Sequence, residues 1–346
     1  MTSAVEHRME GLLWSGVRDL PDVGSPAWRR SVVVNDMVNR RRSEANWRGL
    51  GEAVALATSI DIELGTVKGV TAEARWYGRV GERPSGDVDL VLAPSDTNRA
   101  AELVSLIQPR HPLLPEIQGL VDTGLLQSLE LRDARGVALD LHFDLLKLGM
   151  PCREPELLWT HMIRYEGHRD MSVRVPDTEL ALLHLLLHLT KDRFRYLLGF
   201  VDIQRIVAGG PIDWDLFVAL ADAEGLRTEA YLALDAVSSV LPIEVDLDAF
   251  AGSRGSSLVW RYLWRPSTRL RGHEGVRRYR RRQDLLPMLA HGRTREAISY
   301  WVRRRALPPR VLLLHSDVAR GPYWWRVTGG RVGAALRRRR GVNRHQ

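Results

Sequence analysis

Cysteine is almost missing from this chain: of 346 residues, only Cys152 carries a thiol. A single thiol excludes an intrachain disulfide and fits a reducing compartment, so a cytoplasmic setting is expected. Lysine is nearly as rare, Lys68, Lys147 and Lys191 being the only three among 50 basic residues. Nowhere do about eighteen apolar residues run uninterrupted, which argues against a spanning helix. The start, Met1 to Arg8, lacks the apolar core of a secretion signal.

What is present is ordinary in amount and uneven in placement. Hydrophobic residues make up 45% and charged residues 27%, as in soluble globular proteins, and the length suffices for two compact domains with accessory segments. Residues 251–346 hold 24 arginines, no lysine and four acids, a net charge of +20, whereas the first 250 residues carry −12. Aromatics interleave with those arginines, among them Trp260, Tyr262, Trp264, Trp324 and Trp325. A basic stretch of this kind can meet nucleic acid or anionic lipid, and it can equally be helical cover with arginine heads in water.

The chemistry concentrates in the run Arg83-Pro84-Ser85-Gly86-Asp87-Val88-Asp89-Leu90-Val91-Leu92. Residues two apart in a strand share a face, so Asp87 and Asp89 are expected side by side amid apolar neighbours. Two such carboxylates need a cation, and Mg²⁺ suits hard, closely spaced oxygens. Upstream, Leu64 to Lys68 reads as a short strand and Gly69 as the start of a helix, whose first amides favour an anion. Downstream, Gly136 to Leu146 alternates apolar and polar residues, placing Asp140, His142 and Asp144 on one face of a strand. Three carboxylates on neighbouring strands beside a helix start form a site for metal-assisted phosphoryl or nucleotidyl transfer.

A second constellation spans a helix expected from about 178 to 208, capped by Asp177. His184, His188, Lys191, Arg195 and Asp202 fall on one stripe of it, with Leu183, Leu186 and Leu187 turned to a core. The His184/His188 spacing can bind zinc, the stripe can be a structural polar face, or it can face nucleotide or acceptor.

The stretch from Val67 through Lys68-Gly69 to Arg83-Pro84 and Asp87-Val88-Asp89-Leu90 resembles the signature of the uncharacterised nucleotidyltransferase family of the polymerase-β-like superfamily. Asp140-Leu141-His142 resembles that family's later strand, and Leu182 to Lys191 with Asp202-Ile203 resembles its helical segment; together they cover roughly residues 50 to 240. The superfamily's usual Gly-Ser turn is Lys68-Gly69 here, so no serine contact at that turn carries over. The resemblance implies an α+β fold: a mixed-sheet, polymerase-β-like nucleotidyltransferase domain, then a helical domain, then a basic, mostly helical C-terminal segment. The expected boundaries are 1–48 (N-terminal helical segment), 49–150 (catalytic domain), 151–250 (helical domain) and 251–346 (arginine- and tryptophan-rich segment).

The activity so implied moves an NMP group from a nucleoside triphosphate, ATP among the possibilities, to an acceptor hydroxyl with release of pyrophosphate. Asp87, Asp89 and Asp140 are the expected metal ligands for two Mg²⁺ ions and the catalytic acids, Asp140 either lowering the acceptor hydroxyl's pKa or taking its proton as general base. Lys68, Gly69, Arg83, Ser85, His188 and Lys191 form the expected nucleotide-contacting set. His142 orients the acceptor or Asp140, or is a structural strand histidine. Family members often neighbour biosynthetic genes, which favours a small molecule, peptide or glycan over RNA as acceptor. Residues 251–346 add a potential contact with an anionic membrane surface. The competing expectation is a non-catalytic protein on the same fold that recognises RNA or membrane through those arginines.

Overall fold

The computed structural model describes residues 8–20, 22–146, 151–166, 171–192, 194, 196–245 and 250. The segment 251–346, with every role expected of it, lies outside the described residues, as do Lys147 and Arg195.

The sheet is mixed and six-stranded. Strands β1 (Leu64–Val67) and β2 (Val88–Leu92) are buried along their full lengths and pair antiparallel. β4 (Ala138–His142) joins β2 in parallel and forms a hairpin with β3 (Ser128–Arg132). That hairpin turns at Gly136, φ +83°, where the Asp133 carboxylate accepts from the Arg135 and Val137 amides at 2.9 and 2.8 Å. On the other side β6 (Ser172–Pro176) runs parallel to β1, and β5 (Met162–Glu166) closes the edge. The order is β3-β4-β2-β1-β6-β5. This is the mixed α+β arrangement expected, with one difference. β5 and β6 fall in a region read as mostly helical, because β6 is recruited by pairing Arg174 with the distant Gly65.

Helix α1 (Glu10–Val17) precedes α2 (Pro26–Thr58), which begins with the Ser25 hydroxyl accepting from the Trp28 amide and with Pro26 at its first position. α2 runs without a break through residue 48, where a boundary was expected. The valine-rich run Val32–Val38 is only partly buried: Val32 is fully inside. Val34, Met37 and Val38 are 58, 50 and 47% exposed, while Asp36, Asn39, Ser43 and Asn46 are buried. These polar residues hold the loop that leads into β2. Asp36 pairs with Arg79 at 2.7 Å, and Asn46 donates to the Ser85 carbonyl at 3.3 Å. Ser43 donates to Glu73 of helix α3 (Gly69–Trp76), and Trp47 Nε1 donates to the same carboxylate at 3.3 Å.

A 3₁₀ turn (Pro94–Arg99) leads into α4 (Ala100–Ile107), followed by α5 (Ile117–Asp122). Asp96 accepts from the Glu63 amide at 2.8 Å and ties the turn to the start of β1. After the short α6 (Pro155–Thr160) and the β5–β6 hairpin comes the helical layer: α7 (Thr178–Lys191), α8 (Leu197–Ala208), α9 (Trp214–Ala223) and α10 (Arg227–Ser238). Asp177 caps α7 as expected and Asp213 caps α9, each accepting at 2.9 Å from the third amide on. α7 is buried almost all round and forms the centre of this layer's core with Phe200, Ile203, Phe217 and Leu234.

The single helix expected over 178–208 is two helices. Phe194 sits between them at φ +54°, a conformation no helix accepts, and its ring is buried 6.0 Å from that of Phe200. Burying this ring breaks the helix. Asp202 therefore lies on α8, off the stripe carrying His184, His188 and Lys191. Its carboxylate takes the Arg83 guanidinium in a two-pronged pair, 2.8 Å from Nε and 2.7 Å from Nη2, and the Tyr77 hydroxyl at 2.5 Å. This buried triad joins the helical layer to the loop before β2.

Candidate active site

The chain leaves β1 at Val67, turns at Lys68 and enters α3 at Gly69. Lys68 adopts φ +56°, a backbone region that disfavours a β-carbon, so this sharp turn is held by its surroundings. Gly69 cannot be replaced without movement. A β-carbon there would fall 2.2 Å from Ser85 Oγ and 3.4 Å from Arg83 Nη1. Strand, turn and helix start thus pack directly against the segment that carries Asp87.

Register places the acids. Asp89 on β2 stands opposite Asp140 on the parallel β4 and opposite Val67 on β1. The Thr66 hydroxyl donates to the Asp89 carbonyl at 2.9 Å and fixes that backbone. His142, with no solvent exposure, closes the group: its Nε2 is 3.1 Å from Asp89 Oδ1 and 3.2 Å from Asp140 Oδ2. Because both neighbours are carboxylates, we assign the proton to Nε2. Lys68 Nζ donates to Asp89 Oδ1 at 2.7 Å. Burial alone would raise the pKa of Asp89, but the Lys68 ammonium and the His142 hydrogen bond outweigh it and hold the carboxyl well below the usual carboxylate range. Ligand atoms of Asp89, Asp140 and His142 all lie within 4.8 Å of one another, so a cation held there meets both carboxylates, and the His142 nitrogen only once it has given up its proton.

Asp87 lies just before β2 rather than in it, at the exposed mouth of the site. Although the residue is open to solvent, its carboxyl is partly desolvated by the protein around it. This crowding, and then the nearby Asp89 charge, push its pKa up to about 6, against the opposing pull of Lys68 and Arg8. Ser85 donates from Oγ to the Asp87 carbonyl at 2.8 Å and so shapes the loop. Arg83 commits Nε and Nη2 to Asp202, while Nη1 faces the helix start at Gly69.

His184 is buried under the group, and burial first, then the Lys68 charge, depress its pKa well below the usual imidazole value. One turn on, His188 is half-buried with Nδ1 3.3 Å from Asp192 Oδ2 and is depressed by the same causes. Lys191 is exposed in the last turn of α7. Asp144, expected on the same strand face as Asp140 and His142, lies past the end of that strand. β4 ends at His142, and the Asp144 carboxylate turns to the Cys152 amide and thiol at 2.7 and 2.9 Å, anchoring a loop.

A family model described as "Uncharacterised nucleotidyltransferase" matches residues 1–242. The chain belongs to that family. No curated protein matches the chain. The match extends N-terminal to the four motifs quoted above, and the structure supplies a reason. In this nucleotidyltransferase family member, α2 holds the loop that presents Asp87, through the Asn46 amide and the Asp36–Arg79 pair. Family membership suggests transfer of a nucleoside monophosphate, with a nucleoside triphosphate as substrate.

His142, outside the expected metal set, touches both acids with its ring nitrogen. The signal was present in its alternation with Asp140. Arg8 is a further residue of the site. It lies over the Tyr196 ring, 4.3 Å from the centroid, with its charge acting on Asp87, and nothing local in the N-terminal sequence announces this.

Proposed function

We propose that this protein is a metal-dependent nucleotidyltransferase on a polymerase-β-like fold, moving an NMP group from a nucleoside triphosphate to an acceptor hydroxyl and releasing pyrophosphate. The observation that carries this reading is the parallel register of Asp89 with Asp140, set beside a helix that starts at Gly69.

The residues fit a hard divalent cation. Asp89 and Asp140 offer carboxylate oxygens, His142 fixes both, and Asp87 adds a third acid at the mouth. When bound, Mg²⁺, two ions in this reading, supplies neutralisation of the triphosphate and of the leaving pyrophosphate. The chain supplies the remainder. The first amides of α3 and the Arg83 Nη1 edge bind phosphate oxygens, and Lys68, Ser85, His188 and Lys191 complete the nucleotide contacts. The acceptor oxygen attacks the α-phosphorus, the bond to the bridging oxygen breaks, pyrophosphate departs, and the Asp140 carboxylate takes the hydroxyl proton. A small molecule, peptide or glycan is the acceptor class we favour, with the cytoplasm as the setting.

The test is incubation with each α-phosphate-labelled NTP in turn, Mg²⁺ and cell extract, with an EDTA control. One nucleotide should yield a labelled, EDTA-sensitive product. Label transfer that persists undiminished in EDTA would remove the metal from the account.

A further inference from the structure

The Lys68 ammonium occupies the charge position that a divalent cation needs. Asp89 and Lys68 are 7 and 11% exposed at their side chains, and their 2.7 Å contact is made at the carboxylate that also faces Asp140 and His142. A charge-assisted contact of that length, shielded from water, is a strong one. Lys68 is also held in a disfavoured backbone conformation while making it. A simple phosphate-binding lysine at a helix start requires neither feature, since it can wait in solvent for its ligand.

Resting on the nucleotidyltransferase reading above, we propose that Lys68 is a built-in counterion. It holds Asp89 in the metal-free protein, keeps lone divalent cations off the site, and passes to the triphosphate when metal and nucleotide arrive together. The physical argument is one of like charges. A cation that takes Asp89 must coexist with the ammonium or displace it, so metal alone binds weakly. A triphosphate supplies the ammonium with new oxygen partners beside Gly69 and removes the conflict. Linkage then requires metal and polyphosphate each to tighten the other through Lys68.

The proposal separates Lys68 from an ordinary structural or phosphate-contacting residue by the sign of two binding changes. In Lys68→Met, Mn²⁺ alone, titrated without nucleotide and followed by loss of the free-ion paramagnetic resonance signal, should bind at least about fivefold tighter than in the wild type. Inorganic tripolyphosphate, titrated by calorimetry in the absence of metal, should bind more weakly to the same variant. Lys68→Gly, which suits the positive φ and relaxes the turn, provides the same comparison if the methionine variant folds poorly. Asp89→Asn is the control for the site itself.

Unchanged or weaker Mn²⁺ binding in both lysine variants, with binding still lost in Asp89→Asn, overturns the counterion role and leaves the metal site standing. Mn²⁺ binding indifferent to Asp89→Asn overturns both. Parallel weakening of both probes makes Lys68 merely structural.

Discussion

Replacing Asp202 with asparagine should loosen the joint between the helical layer and the catalytic loop. Asp202 is 2% exposed and Arg83 8%, so both charges depend on each other for solvation. Two guanidinium nitrogens at 2.8 and 2.7 Å, with the Tyr77 hydroxyl at 2.5 Å, satisfy the carboxylate. Asparagine keeps one acceptor but turns an amide donor toward a guanidinium donor, leaving a buried positive charge uncompensated. Removing one partner of such a pair costs about 3–5 kcal/mol. Against a typical total stability of about 5–15 kcal/mol this is a large fraction. In equilibrium urea unfolding, followed by tryptophan fluorescence, the midpoint should fall by roughly 1–2.5 M for an m-value of about 2–3 kcal/mol/M. The triple variant Tyr77→Phe/Arg83→Met/Asp202→Leu removes all the polar groups together and should recover most of that loss. A stability for Asp202→Asn within about 1 kcal/mol of the wild type would refute the claim that this triad holds the layers together.

Asp87→Asn should stabilise the metal-free protein at pH 7.5 while abolishing transfer. An acid whose folded pKa is raised to about 6 binds its proton more tightly when folded, so stability falls as pH rises from about 4 to 6 and stays reduced above. Allowing for the exposure of Asp87, the advantage should be about 1 kcal/mol or less, and it should shrink as melts are taken nearer pH 4; a gap independent of pH refutes the assignment. Glu73, buried and raised in pKa mainly by that burial, should lose less as Gln than as Ala at pH 8: the amide oxygen keeps the Gly81 N–H bond of 2.7 Å and the Ser43 hydroxyl can turn to accept from the amide, which leaves only Trp47 Nε1–H without an acceptor. Glu73→Ala, which strands the donors of Ser43, Trp47 and Gly81, should cost about 2 kcal/mol or more in the same thermal melts. Equal melting temperatures for Gln and Ala would show that these hydrogen bonds do not hold α2 to α3.

The parts of the site legible in sequence were those that local pattern specifies. The strand–turn–helix at Leu64 to Trp76, the buried apolar run after Asp87, the alternating strand ending at His142, and the cap Asp177 all have short-range causes. Long-range packing decided the rest. The β5–β6 hairpin is strand because β1 offers β6 an edge, which no window around Arg174 reveals. The middle of the buried face of α2, from Asp36 to Asn46, is polar because it serves the Arg79 and Ser85 loop, which no local pattern reveals. Phe194 breaks the helix only because Phe200 makes a place for its ring. Asp144 keeps the period of its strand in sequence, but the strand stops two residues earlier and Cys152 takes its carboxylate.

The central claim is that the Asp89–Asp140 pair holds the reacting metal. It is tested most directly by the rate of label transfer from the preferred NTP, measured for Asp89→Asn and Asp140→Asn beside the wild type, with folding checked by circular dichroism. The account predicts that folded protein of either variant loses transfer by about a hundredfold or more in Mg²⁺. Wild-type rates in either folded variant would contradict it.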